Sequence, residues 1–117
     1  MEVLDLSCGY GLKPEWIKLI TRHCVNLKEA NFNYCGLKED SINYLVSNLS
    51  TKLERLCLSC APLKDDQVKV LVSRCNKLSV LDLTLVTSIT DISIDYIIEH
   101  LKSTLEELDV QDDNDIR

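Results

Sequence analysis

Three glycines and two prolines in 117 residues are too few for a disordered linker or a collagen-like repeat. With six aromatic residues in all, the core has to be aliphatic. No apolar run approaches the ~20 residues that span a bilayer. The opening MEVLDLSCG carries neither the basic nor the apolar region of a signal peptide, so neither a membrane nor export is expected. Cations are also short: 13 Lys and Arg against 19 Asp and Glu give a net charge of −6. A nucleic-acid partner needs a concentrated basic surface, so a protein with a basic or polar docking face fits better. Six cysteines would make a disulfide framework only in a secreted protein. Reduced, buried thiols and a cytoplasmic or nuclear location are expected instead, with a mitochondrial one left open to an upstream presequence. The length suits one domain and gives little room for a two-domain enzyme.

Leucine is abundant, with 20 residues, about one in six. Aligned as leucine, two residues, aliphatic, one residue, aliphatic, the chain gives Leu27-x-x-Ala30-x-Phe32, Leu53-x-x-Leu56-x-Leu58, Leu78-x-x-Leu81-x-Leu83 and Leu105-x-x-Leu108-x-Val110, after a first copy at Met1-x-x-Leu4-x-Leu6. The copies start at residues 1, 27, 53, 78 and 105, spaced by 26, 26, 25 and 27. Such a period is the signature of a solenoid, in the length range of leucine-rich repeats.

Each strand-like segment is followed at fixed offset by a second pattern, as in Ile17, Ile20 and Cys24, whose i, i+3, i+7 spacing marks one helix face. Pro14, Glu39, Asp65 and Asp91 share one aligned position, the first turn of each helix, where proline loses no hydrogen bond and a carboxylate meets the positive helix end. Thr90 is a good N-cap, while Lys13, Lys38 and Lys64 stand at that place in the other copies. Ser41, Gln67 and Ser93 align as polar, outward positions. Trp16, at the same place, either covers the N-terminal end of the stack or contacts a preceding segment. One-residue insertions in the strand-to-helix loops of copies one and four, and in the helix-to-strand loops of copies two and four, account for the unequal spacing. The expected fold is therefore an α/β solenoid of about five parallel strands and four outer helices. Its units are 1–26, 27–52, 53–77 and 78–104, with a partial unit 105–112 and an acidic tail 113–117.

Phe32-Asn33-Tyr34-Cys35 closing a strand, Ile89-Thr90-Asp91 opening a helix, and Cys24 or Cys75 three residues before the next leucine resemble the cysteine-containing leucine-rich repeats found in F-box proteins. The resemblance covers residues 1–112. It implies a non-enzymatic role in protein recognition, choosing substrates for an SCF-type ubiquitin ligase. The adaptor-binding F-box is not among these residues. Cys35 alone sits at the family's strand-end cysteine position; Gly9, Ala61, Val86 and Asp113 stand there in the other copies. A scaffold unrelated to ubiquitin, of the mitochondrial assembly type, is the alternative within the same class.

Alternation along a strand turns Leu56 and Leu58 inward, so Arg55, Cys57 and Ser59 face out onto the concave sheet. The outward central row reads Asp5, Asn31, Cys57, Asp82 and Asp109, stacked about 4.8 Å apart. With Asn33, Arg55 and Thr84 it forms the candidate partner-binding face. Tyr10, Tyr34, Cys60, Pro62 and Leu85 form a rim at the strand ends, a second candidate surface. Cys57-Leu58-Ser59-Cys60 matches C-x-x-C, which supplies the rival reading of a thiol oxidoreductase; the motif sits on a strand rather than at a helix N-terminus, where thiols are activated. Zinc would need two further ligands at suitable spacing, so no metal and no cofactor is expected. His23 and His100 near helix C-termini, and the acidic pairs Glu39-Asp40 and Asp65-Asp66, are accounted for by the helix dipole. The chain opens inside its first unit and its last strand has no helix behind it. A fragment of a longer stack is therefore expected, or a small protein that associates end to end through its N-terminal edge.

Overall fold

The computed structural model describes residues 1–9 and 11–111; Tyr10, Asp112 and the tail 113–117 lie outside it. Strands and helices alternate: β1 (Val3–Asp5), α1 (Pro14–His23), β2 (Glu29–Asn31), α2 (Glu39–Asn48), β3 (Arg55–Cys57), α3 (Asp65–Arg74), β4 (Val80–Asp82), α4 (Asp91–Leu101) and β5 (Glu107–Asp109). The strands form one parallel sheet in chain order. Its register sets Leu4, Ala30, Leu56, Leu81 and Leu108 side by side. The middle three of these are buried with Ile17, Ile42, Val68 and Ile97, one from each helix. The rows on either side are exposed or half-buried, so all four helices cover one face of the sheet and the other is bare. No helix among the described residues is long and apolar enough to cross a membrane.

Three residues are too short for a strand to hold itself, and the loops lengthen the ladder at both ends. Lys28 and Glu29 donate their amides to the Glu2 carbonyl, and beyond the strand Leu6 and Cys8 donate to Asn31 and Asn33. The same rungs recur between every later pair of units. Burial is complete in the middle of the stack and partial at its ends. Leu56, Leu58, Leu81 and Leu83 are fully buried, whereas Leu4, Leu6, Leu105 and Leu108 are half-buried, because each has a neighbouring unit on one side only.

The helix starts link the units. Asp65, first residue of α3, accepts the Thr90 amide (2.9 Å), the Thr90 hydroxyl (2.7 Å) and the Ser93 hydroxyl of α4. These bonds, that of Ser93 first, hold the Asp65 carboxyl below its usual range. The Thr90 hydroxyl in turn accepts the Ile92 amide, the one side-chain N-cap of the four helices. Lysine offers no acceptor, so α3 is capped from the other side: Gln67 Oε1 takes the Lys64 amide at 2.9 Å. At the opposite end α2 has no basic residue in its last turn. Arg74 of α3 reaches over and donates Nε to the Leu49 carbonyl at 2.7 Å, placing a cation at the negative helix end.

Ser41, Gln67 and Ser93 do not face outward as expected; all three are buried. Neighbouring helix N-termini lie side by side, and the third residue of α2, α3 and α4 enters the seam with the preceding helix, where Ser93 meets Asp65 and Gln67 Nε2 meets Asn43 Oδ1 (2.7 Å). Trp16 remains 46% exposed, since no helix among the described residues precedes α1, and Lys13 Nζ stands 5.5 Å from its ring. Buried thiols, the general expectation, hold for only part of the set. Cys35 and Cys75 are buried, Cys24 and Cys57 half-buried, and Cys8 and Cys60 exposed because they sit in the turns that leave the strands.

Ser41 Oγ is 3% exposed as a residue and has no hydrogen-bond partner among the described residues. The pattern explains why: Ser93 uses the aspartate that opens the preceding helix, and the helix preceding Ser41 opens with Pro14. An unsatisfied buried hydroxyl costs about 1–3 kcal/mol. Ser41→Ala is therefore expected to raise stability by about 1 kcal/mol, roughly 4 °C in Tm for a domain of this size. Pro14→Asp should be about 1 kcal/mol more favourable with Ser41 present than in the Ser41→Ala background, because it supplies the missing acceptor. Urea unfolding of the four proteins measures both; a loss of stability in Ser41→Ala, or no coupling, would contradict the assignment.

Candidate functional site

The bare face of the sheet carries the predicted central row in register: Asp5, Asn31, Cys57, Asp82 and Asp109 are paired along the ladder. Arg55 stands one row over, in register with Glu29 and Val80, with its Nε 3.7 Å from Glu29 Oε1. Both groups are about half exposed, so this pair adds little stability.

The row has a structural duty that alternation alone does not reveal. Successive amides along a strand point to opposite sides. Those of Leu6 and Cys8 go to the next strand, and that of Ser7 is left over. Asp5 Oδ1 accepts it at 2.9 Å, and also takes the Ser7 hydroxyl at 2.6 Å. These two bonds hold the Asp5 carboxyl below its usual range. Asn31 accepts the Asn33 amide (2.9 Å), Asp82 the Thr84 amide (2.9 Å) and Asp109 the Gln111 amide (3.1 Å) in the same way. Cys57 has no oxygen to offer, and there Asn33 Oδ1 crosses from β2 to take the Ser59 amide at 2.6 Å. Ser59, expected outward, is buried beside this bond. The bonds to Asp5, Asp82 and Asp109 all fall on Oδ1; Oδ2 of each carries none among the described residues.

Two depressions lie on this face. The larger, of about 600 Å³, is lined by Arg55, Cys57, Val80, Leu81, Asp82, Glu106, Glu107, Leu108 and Asp109. The smaller, of about 180 Å³, lies over β1 and β2, and the two meet at Arg55 and Cys57. Their walls hold six carboxylates against one guanidinium, a local charge of −5 where the whole chain carries −6. Glu106 and Glu107 were not among the candidate residues. Glu107 occupies an outward register position, but Glu106 precedes the strand, where alternation gives no guide.

Of the rim, Tyr34 is 42% exposed, Cys60 exposed, and Pro62 and Leu85 half-buried; Tyr10 lies outside the described residues. The Cys57 thiol is pushed up, first by burial and then by the Asp82 charge, which lowers its thiolate fraction. Burial pushes Cys75 up to about 11, and raises Cys35, whose Sγ donates to the Leu6 carbonyl at 2.8 Å. His100 holds its Nδ1 2.9 Å from the Tyr96 carbonyl, so that nitrogen bears the proton. Among the described residues no three His, Cys, Asp or Glu side chains gather as a metal site. No family model matches the chain, and neither does any curated protein.

If the row serves the turns through one oxygen, the charge is dispensable for folding and the oxygen is not. Asp82→Ala is expected to cost about 1 kcal/mol and Asp82→Asn a few tenths, the usual difference when a capping oxygen is lost or kept. Asn33→Ala, which strands the buried Ser59 amide, should cost about 2 kcal/mol, and adding Cys57→Asn should recover much of it. Urea midpoints of these variants decide the matter; equal losses for Asp82→Ala and Asp82→Asn would show that charge is what counts.

Proposed function

We propose that the chain is a leucine-rich-repeat arc and a protein-recognition module whose bare sheet face takes a basic segment of a partner protein. The concentration of negative charge on that face carries this reading. Carboxylates needed only for solubility would be spread over the surface, whereas here six of them line two adjoining depressions over five strands. Among the described residues the second oxygens of Asp5, Asp82 and Asp109 carry no bond and can take a lysine or arginine while the first oxygens keep the turns in place. The free face thus combines a fixed backbone with unspent acceptors, the arrangement that lets repeat proteins bind extended ligands. Its contribution is to hold a partner in place; no step of bond making is assigned to it.

The narrower role, selecting substrates for an SCF-type ubiquitin ligase, rests on the resemblance of the cysteine-containing repeats and requires an F-box to reach the ligase adaptor. The binding surface is common to that role and to a scaffold outside the ubiquitin system.

Fluorescence polarisation with a labelled lysine- and arginine-rich peptide tests the face directly. The combined variant Asp82→Asn, Glu107→Gln, Asp109→Asn, which keeps every capping oxygen, is expected to weaken binding at least about tenfold with little change in Tm, equivalent to about 1.4 kcal/mol. Binding to the native chain should also weaken as salt rises. Equal affinity of native and variant proteins would sink the proposal.

A further inference from the structure

A basic segment laid across the bare face meets an uneven field. Over β1 and β2 the lining carboxylates are Asp5 and Glu29, and over β4 and β5 they are Asp82, Glu106, Glu107 and Asp109. Between these two lobes, on the middle strand, stands Arg55, the one cation in either lining and a wall of both depressions. Cys57 on the same strand adds no negative charge there, since its thiol is pushed up by burial and keeps its proton at neutral pH. Across the stacked strands the face therefore runs negative, positive, negative.

Nothing in the fold calls for a cation at this place. The positions in register with Arg55 are Val3, Glu29, Val80 and Glu107, so neither packing nor turn capping needs a guanidinium there. Its contact with Glu29, 3.7 Å between half-exposed groups, contributes little. For attracting cations at large the residue is counterproductive, because it cancels part of the field where the two depressions join. A like charge set inside an otherwise complementary surface rejects wrong partners and fixes register. Screening keeps the effect local. The ends of a ligand over β1 and β5 lie two strand spacings away, about 10 Å, which is about one Debye length in 0.1 M salt.

We propose that Arg55 is a specificity-determining residue that selects the charge pattern of the partner segment, basic at both ends and acidic at the centre. This rests on the sheet-face reading above and narrows its ligand: the end cations take the two acidic lobes, and a central carboxylate takes the guanidinium that would repel a lysine or arginine. Length follows from the strand spacing. Asp5 to Asp109 spans four spacings, about 19 Å, which about seven residues of extended chain cover.

Three labelled heptapeptides serve as probes, each with two lysines at either end and Ser-X-Ser between, X being glutamate, serine or lysine. On a face that merely attracts cations, affinity rises with peptide charge and the lysine peptide binds tightest. The native chain is expected to reverse that order and to bind the glutamate peptide about threefold more tightly than the lysine peptide. In Arg55→Gln, which keeps a polar side chain without the charge, the lysine peptide should come first, by about fivefold over the glutamate peptide. Tm should change little, because the ion pair is half exposed. Arg55→Lys, which keeps the charge, should preserve the native order. If the native chain binds the lysine peptide tightest, selection by Arg55 is overturned while the sheet face stands. The native order persisting in folded Arg55→Gln overturns it too. Binding of none of the three at low salt overturns the sheet-face reading and the selection with it.

Discussion

Backbone hydrogen bonding between neighbouring units is the constraint on which the rest of the molecule depends. A three-residue strand satisfies few of its own polar groups, and an unpaired buried amide is costly. Here the ladder runs past each strand into both loops, from the carbonyl of Glu2 to the amide of Cys8 in the first unit, and each rung ends on the next unit. Strand length and register are therefore common property of the whole sheet. Insertions are tolerated where the ladder stops, in the loops before α1 and α4 and after α2, and one further residue of the fourth unit lengthens α4 to 11 residues.

Side chains repeat the same logic across the units. Asp65 binds the start of α4, Arg74 closes the end of α2, Ser50 donates to the Val25 carbonyl and Thr104 to that of Leu78. Each partner lies about one unit away in sequence, and the helices contact only their sequence neighbours. Because folding is secured by these links and by the inward leucines, the bare face is relieved of packing. Its three aspartates Asp5, Asp82 and Asp109 each give one oxygen to the turn that follows the strand.

Most of the architecture was legible because it is periodic. The leucine register placed all five strands, and Pro14, Glu39, Asp65 and Asp91 marked the helix starts where they are found. What periodicity could not supply is contact between units. Ser41, Gln67 and Ser93 have polar side chains, and only the neighbouring helix makes a buried position tolerable for them. The candidate row was correctly located, but its turn-capping bonds join residues two apart through a side chain, and alternation sees only which way a side chain faces. The rim was half legible. Tyr34, Cys60 and Leu85 were placed at the strand ends, while the positive φ they share with Cys8 gave no warning, since turn rules look for glycine or asparagine where this chain has cysteine, tyrosine and leucine.

Hydrogen exchange followed by mass spectrometry tests the central claim, that stability is passed from each unit to the next. A stack held by nearest neighbours opens from its ends, so protection should be graded along the chain. Peptides covering residues 53–60 and 78–84, whose leucines are fully buried, are expected to exchange most slowly, and those covering 1–8 and 105–111 fastest. Uniform protection across all five strands, or slowest exchange in β1, would contradict it.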